Sequence, residues 1–317
     1  MTLLYYNPVF LEHETGSHPE NKGRLQAVLQ RLETNQVDAR CTKPSWKPAS
    51  LQQLGHVHST DTIESVRSFA EQGGGRIEAD TVVSAKSYDA ARIAAGAASD
   101  AVRRVVAGED KTAFCMVRPP GHHALHSQPM GFCLFNNVAV GARVAIEELG
   151  LDRVMIVDWD VHHGNGTQGT FWDDPNVAFL SMHRFPFYPG SGDADETGVG
   201  AGKDLTVNLP IRFGTSRKMQ LDRFRDGVEK LADRFRPQLI LISAGFDSHI
   251  NDPIGSLELE SEDFETFTDI VMDVANNHSD GRLVSLLEGG YNPNALAESV
   301  EIHLTRLLAE DKPGNNQ

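Results

Sequence analysis

The chain has 317 residues, is 40% hydrophobic and 23% charged, and carries a formal net charge of −15. That balance fits a folded protein with a large core and argues against nucleic acid as a partner, because phosphate binding wants a basic surface; cationic substrates or plain acidic solubility both remain compatible. No run of about 18 apolar residues occurs, which argues against a membrane partner. Cys41, Cys115 and Cys133 are odd in number and form no C-x-x-C, which fits a reducing, cytoplasmic setting.

Taken in order, the opening MTLLYYNPVFLEHE lacks a basic n-region, so it does not read as a signal peptide. Residues 3–6 form the first strand-like run, and 19–32 place Leu25, Val28, Leu29 and Leu32 at helical spacing. An Ala-rich helix over 87–106, a strand at 113–117, a helix over 138–149 and strands at 153–157, 177–181 and 205–209 follow. A helix over 216–234, a strand at 238–243, a helix over 261–276, a strand at 282–287 and a helix over 293–308 complete the series. Near-continuous apolar strands alternating with helices predict an α/β fold, with a mostly parallel sheet between two helical layers. No linker interrupts the pattern, which predicts one domain over 1–309 and a frayed tail over 310–317.

In such sheets ligands collect beyond the carboxyl ends of the strands. Four chemically loaded clusters sit there: RPPGHHA, DWDVHHGNG, SAGFDSH and EGGYNP. If the third of the central strands continues past Val157, Asp158, Asp160 and His162 point to one face while Trp159 and Val161 pack behind. Adjacent carboxylates repel unless a cation compensates, and a divalent ion with oxygen and imidazole ligands, such as zinc, does so. The glycines of GNGTQG also match the G-x-G-x-x-G of a dinucleotide-binding turn, with Asp193 at the acidic position downstream; two aspartates on the approach side would repel a pyrophosphate. His122 and His123 lie in a Pro-Gly-bounded turn suited to acid–base work or to two surface histidines. Asp247 reads as a ligand or a helix cap, and Tyr291 as an oxyanion donor or as packing. His163 is expected to point away from the site, and the remaining histidines are unassigned.

Together with GSHPENKGRL (16–25), GFCLFNNVAV (131–140) and FYPGSGDADETG (187–198), these motifs resemble the zinc-dependent histone deacetylase superfamily, in its class II and bacterial amidohydrolase-like branch. The resemblance runs from about residue 5 to 308. It implies the arginase/deacetylase three-layer α/β/α fold. It also implies zinc on Asp160, His162 and Asp247, with Fe²⁺ as an alternative ion in the cell. A structural K⁺ would sit on Asp158 and Ser181 with the backbone of Asp160 and His162. His123 matches the general base and acid, His122 its charge-stabilising partner with Asp158 behind, and Tyr291 the oxyanion donor. Phe132 and Tyr188 match the aromatic walls of an acyl-lysine tunnel, and Gly131 keeps one wall thin.

Asn165 stands behind His123 where class I members carry aspartate, and Tyr188 replaces a phenylalanine common in eukaryotic members. Tyr291 is retained, unlike the histidine of the weakly active class IIa branch. Ile254 occupies the position of a glutamate that marks polyamine-specific members. The sequence therefore predicts a deacetylase acting on acyl-lysine peptides or proteins. Acetylpolyamines or other small acylated amines are the alternative substrates, and a dinucleotide-binding or non-catalytic acyl-amine-binding protein is the alternative class. Nucleic acid and membrane are not expected partners, and an oligomer is left open. Segments 13–24, 76–88 and 184–202 are expected to form the rim of the site.

Overall fold

The computed structural model describes residues 1–309; the expected tail over 310–317 lies outside the described residues. Seven strands form one sheet: β1 (Thr2–Tyr5), β4 (Thr112–Cys115), β5 (Val154–Asp158), β6 (Val177–Arg184), β7 (Thr206–Ile211), β8 (Leu239–Ala244) and β9 (Leu283–Leu287). They correspond one to one with the seven apolar runs of the sequence. The order across the sheet is β1-β4-β9-β8-β5-β6-β7, and every pairing is parallel. Residues of β5, β8 and β9 are buried throughout, as strands covered on both faces must be.

Helices Gly23–Thr34, Pro293–Leu307, Ser261–His278 and Arg217–Phe235 pack in succession on one side, and Ser87–Val106 packs with Asn137–Arg143 on the other. The sandwich is a three-layer α/β/α arrangement. In Ser87–Val106 the buried stripe is mostly alanine (Ala90, Ala91, Ala94, Ala95, Ala97, Ala98 and Ala101), so the helix lies close to its neighbours.

From β5 the chain proceeds to β6 and β7 on one side, then returns to insert β8 on the other side of β5. The β5–β8 seam is therefore where strand order reverses, and a crevice opens there beyond the carboxyl ends. Register brings the ends level: Asp158 pairs with Ser243 of β8 and with Ser181 of β6. Three differences from the sequence reading matter for function. The run at 19–32 becomes helical only at Gly23, because Pro19–Lys22 is bent by Asn21 side-chain bonds to the His18 carbonyl (2.8 Å) and from the Gly23 amide (2.9 Å). An antiparallel hairpin, β2 (Gly74–Arg76) with β3 (Val82–Ser84), occupies part of the expected rim. GNGTQG, which matched a dinucleotide-binding turn, lies mostly in a six-residue helix, Asn165–Thr170.

Candidate metal centre

β5 ends at Asp158, so the continuing strand expected through His162 is corrected. The convergence comes from side-chain turns instead. Asp158 Oδ1 accepts the Asp160 amide (3.1 Å), and Asp160 Oδ1 accepts the His162 amide (2.9 Å), which coils the segment over the strand end. Trp159 and Val161 are buried as anticipated, Trp159 against Phe224, Phe267 and His303. Asp247 follows β8; its Oδ1 accepts the Val161 amide (2.9 Å), and it caps no helix, since the next one starts at Ser261. One ligand atom each from Asp160, His162 and Asp247 lies within 4.8 Å of the others, and all three residues are buried.

The donor set fits a divalent cation. Asp247 Oδ2 is 3.2 Å from His162 Nδ1 yet makes no hydrogen bond, a buried carboxylate oxygen with an unfilled demand. Burial and the Asp160 charge push Asp247 up to about 7. Burial opposes charge on His162 as well, but its bond to Asp160 and the nearby Asp247 carboxylate carry it up to about 9. Two buried carboxylates thus share one imidazole, and oxygen-plus-imidazole donors suit zinc or ferrous ions. The neighbouring backbone leaves the room: a Cβ on Gly245 would collide with Asp160 Oδ2, and one on Gly289 would collide with Asp247 Oδ2.

Beside the triangle, His122 and His123 are each only 3% exposed, with ring centroids 4.0 Å apart. That removes the surface-histidine alternative. His122 Nδ1 bonds Asp158 Oδ2 (2.9 Å), and His123 Nδ1 bonds Asn165 Oδ1 (2.7 Å). Burial works against charge on His122, but Asp158 and Asp160 outweigh it and carry the ring up to about 10. For His123, burial and the adjacent His122 and His162 act together and hold it well below the usual range. The surroundings thus push the two touching rings in opposite directions. The Asn165 oxygen can only accept, so the His123 proton sits on Nδ1 and Nε2 is left as a base.

Tyr291, just beyond β9, lies under the Arg24 guanidinium (5.0 Å) and meets Phe132 edge-on at 5.7 Å. Burial and Asp247 raise its hydroxyl well above 10, so it remains a hydrogen-bond donor. Tyr188 stands edge-on to His123 at 5.2 Å. Gly131, at φ +57°, has its open side against His123; a Cβ there would run into the ring.

A sequence profile of the histone deacetylase domain matches residues 18–307. The chain belongs to the histone deacetylase family. It is 38% identical over 277 residues to a histone deacetylase-like amidohydrolase of Pseudomonas aeruginosa, covering 86% of this chain and 72% of that one. A probable deacetylase of Archaeoglobus fulgidus is 37% identical over 295 residues, covering 92% and 82%. The crystal structure of the HDA15 HD domain superposes with a TM-score of 0.92 at 35% identity, covering 98% of this chain and 91% of that one. The family is one of hydrolases, and its metal dependence accords with the buried Asp–His–Asp cluster.

In this family member, several site residues escaped the sequence reading. Glu288 is buried between β9 and the histidine turn: Oε2 accepts the Gly121 and His122 amides (2.6 and 3.2 Å), and Oε1 the Ser243 hydroxyl (3.1 Å). Burial pushes Glu288 up to about 7. Glu20, Arg24 and Arg118 form a buried ion cluster, from which Arg24 reaches the carbonyls of Glu288 and Gly290 (2.5 and 2.6 Å). In the β2–β3 turn, Asp80 Oδ1 accepts the Gly131 amide (3.1 Å), and Thr81 Oγ1 the Phe132 amide (3.1 Å). Each lay in or beside a recognised motif or an expected rim segment, but its partners are distant in sequence, so a local reading gives it no role. His163 does point away, to Ser191 and Gln168. Ser181 bonds His183 (2.9 Å), in register beside Asp158. The amides of Gly166 and Thr167 are engaged by the His122 carbonyl (3.0 and 3.2 Å), so the GNGTQG helix does not offer them to a phosphate.

Proposed function

We propose that this chain is a zinc-dependent amidohydrolase that removes acetyl or other short acyl groups from acyl-lysine side chains, with one catalytic domain over 1–309 working in the cytoplasm. The observation that carries the reading is a buried Asp–His–Asp triangle with two touching imidazoles beside it, one backed by the Asp158 carboxylate and the other by the Asn165 carboxamide. A divalent ion on Asp160, His162 and Asp247 would polarise the acyl carbonyl and acidify the attacking water. Neutral His123 takes the water proton at Nε2 and later returns a proton to the leaving amine. Cationic His122, fixed by Asp158, stabilises the negative charge that develops nearby. The Tyr291 hydroxyl donates to the oxyanion. Phe132 and Tyr188 flank the alkyl chain, with Gly131 thinning the wall.

Buried oxygens of Asp158 and Ser181 lie in register and suit a monovalent ion, so K⁺ with the backbone of Asp160 and His162 belongs to the same proposal. The apolar Ile254, where an acid would pair a distal ammonium, favours acyl-lysine over acetylpolyamine. Chelation should abolish turnover of an acetyl-lysine peptide, and Zn²⁺ or Fe²⁺ should restore it. Activity indifferent to the chelator sinks the reading, and a higher kcat/KM on acetylspermidine sinks the substrate choice.

A further inference from the structure

Asp252 sits between the triangle and Tyr291 and belongs to neither. It is buried, and its carboxylate gathers backbone amides from two separate segments. Oδ1 accepts from Ile254 and Gly255 (2.9 Å each), and Oδ2 accepts from Tyr291 (2.7 Å). The far side of the same loop is tied to the strand end that carries Asp247: the Ser256 amide bonds the Asp247 carbonyl (2.7 Å), and the Leu257 amide bonds the Ser248 carbonyl (2.9 Å). Arg184 holds the loop from outside through the Gly255 carbonyl (3.0 Å). Asn292 links the segments again, donating to the Asn251 carbonyl (3.0 Å) while its own Oδ1 caps the helix Pro293–Leu307.

Tyr291 follows Gly289 and Gly290, the latter at φ +119°; the Gly289 amide is held by Asp160 Oδ2 (2.9 Å) and the Gly290 carbonyl by Arg24 (2.6 Å). Those bonds stop at Gly290, and the Tyr291 amide itself is held by Asp252; a charged acceptor makes the stronger hydrogen bond. The Tyr291 side chain is only partly buried. We propose that Asp252 is a positioning residue: by fastening the Ile254 loop and the Tyr291 amide to one carboxylate, it sets the Tyr291 hydroxyl where the oxyanion forms. The inference rests on the oxyanion role given to Tyr291 above.

A double-mutant cycle on the metal-loaded protein tests it. Tyr291→Phe alone should lower kcat on acetyl-lysine peptide by roughly 10²–10³. Asp252→Asn turns one of the two accepting oxygens into a donor, so at least one of the three N–H groups loses its acceptor, and it should lower kcat about tenfold with KM and bound metal little changed. In the Tyr291→Phe background the same substitution should change kcat by less than about twofold, because the group it acts through is already gone. An equal loss in both backgrounds, or no loss in kcat from Asp252→Asn, overturns the proposal. If Asp252→Asn does not fold, Asp252→Glu, which keeps the charge and displaces it by one methylene, carries the same cycle and is decided by the same outcomes. Tyr291→Phe that leaves kcat untouched overturns the oxyanion reading itself, an outcome distinct from failure of the coupling.

Discussion

The segment 157–168 feeds two buried histidine pairs that are put to opposite uses. At the metal centre, His122 and His123 each commit one ring nitrogen inward, to a carboxylate in one case and a carboxamide in the other. Behind the site, His163 and His183 lie 4.8 Å apart and have both nitrogens bound by neutral groups: Ser191 and Gln168 for His163, Ser181 and the Gly192 carbonyl for His183. Burial lowers the second pair to about 4 and about 3, so both rings stay neutral struts. They anchor the loop after Tyr188, helped by Glu196, which accepts from Gln168 (2.6 Å) and from Gly192 (2.9 Å). The visible HH of the motif contributes one ring to each side. Neighbours decide the use: a ring nitrogen left free toward the site makes chemistry, whereas saturation of both nitrogens by neutral partners makes scaffold.

The comparison breaks most severely on the chemical side. Asp160→Ala removes a triangle member and leaves His162 and Asp247 with an altered charge balance. It should reduce turnover by about 10³-fold or more and remove the stoichiometric metal, read by elemental analysis beside a peptide assay. His123→Ala should keep the metal and cost roughly 10²–10⁴ in kcat, the range for loss of a general base. Retained turnover in His123→Ala, with metal present, would place the base elsewhere.

The fold was legible because six of its seven sheet strands are runs buried on both faces, a pattern that needs no tertiary context; the edge strand β7 alternates buried and half-buried residues. The site was legible where chemistry sits at a strand end, as at Asp160, His162, Asp247 and the His122–His123 turn. The motif resemblance then supplied their roles. What stayed hidden depends on distant partners. Asp80 shows its purpose only when the β2–β3 turn meets Gly131, and Asp252 only when it meets the amide of Tyr291, 39 residues on. The continuing strand at 158–162 misled because alternation and a pair of Asx-type turns can gather the same residues at one point. Only the backbone tells them apart.

Asn165→Asp sharpens the contrast inside the working pair, since it would give His123 the same kind of backing as His122. A contacting carboxylate favours the imidazolium, so the His123 pKa should rise, by about one unit or more. Below that pKa the ring is protonated and cannot serve as base. The acidic limb of kcat/KM should therefore move to higher pH, while kcat at alkaline pH changes less than about threefold. An unmoved limb would detach His123 from that titration.

The smallest effect on turnover belongs to the scaffold pair. His183→Gln should leave kcat of the metal-loaded enzyme within about twofold, while losing about 1–3 kcal/mol of stability from broken buried hydrogen bonds. Its signature is in pH. His183 stands at about 3 when folded against 6.5 as a free side chain. Between those values the unfolded chain binds a proton that the native protein refuses, so stability falls as pH drops through this window. Glutamine cannot take up that proton. The variant, though less stable at pH 8, should lose stability on acidification with a slope shallower by about 1.4 kcal/mol per pH unit at most, the value for one proton. Denaturant melts at pH 8, 6 and 5 measure it. Parallel losses in the two proteins would mean that native His183 takes up its proton as readily as the unfolded chain does, and the division between working and supporting pairs would fail at its supporting end.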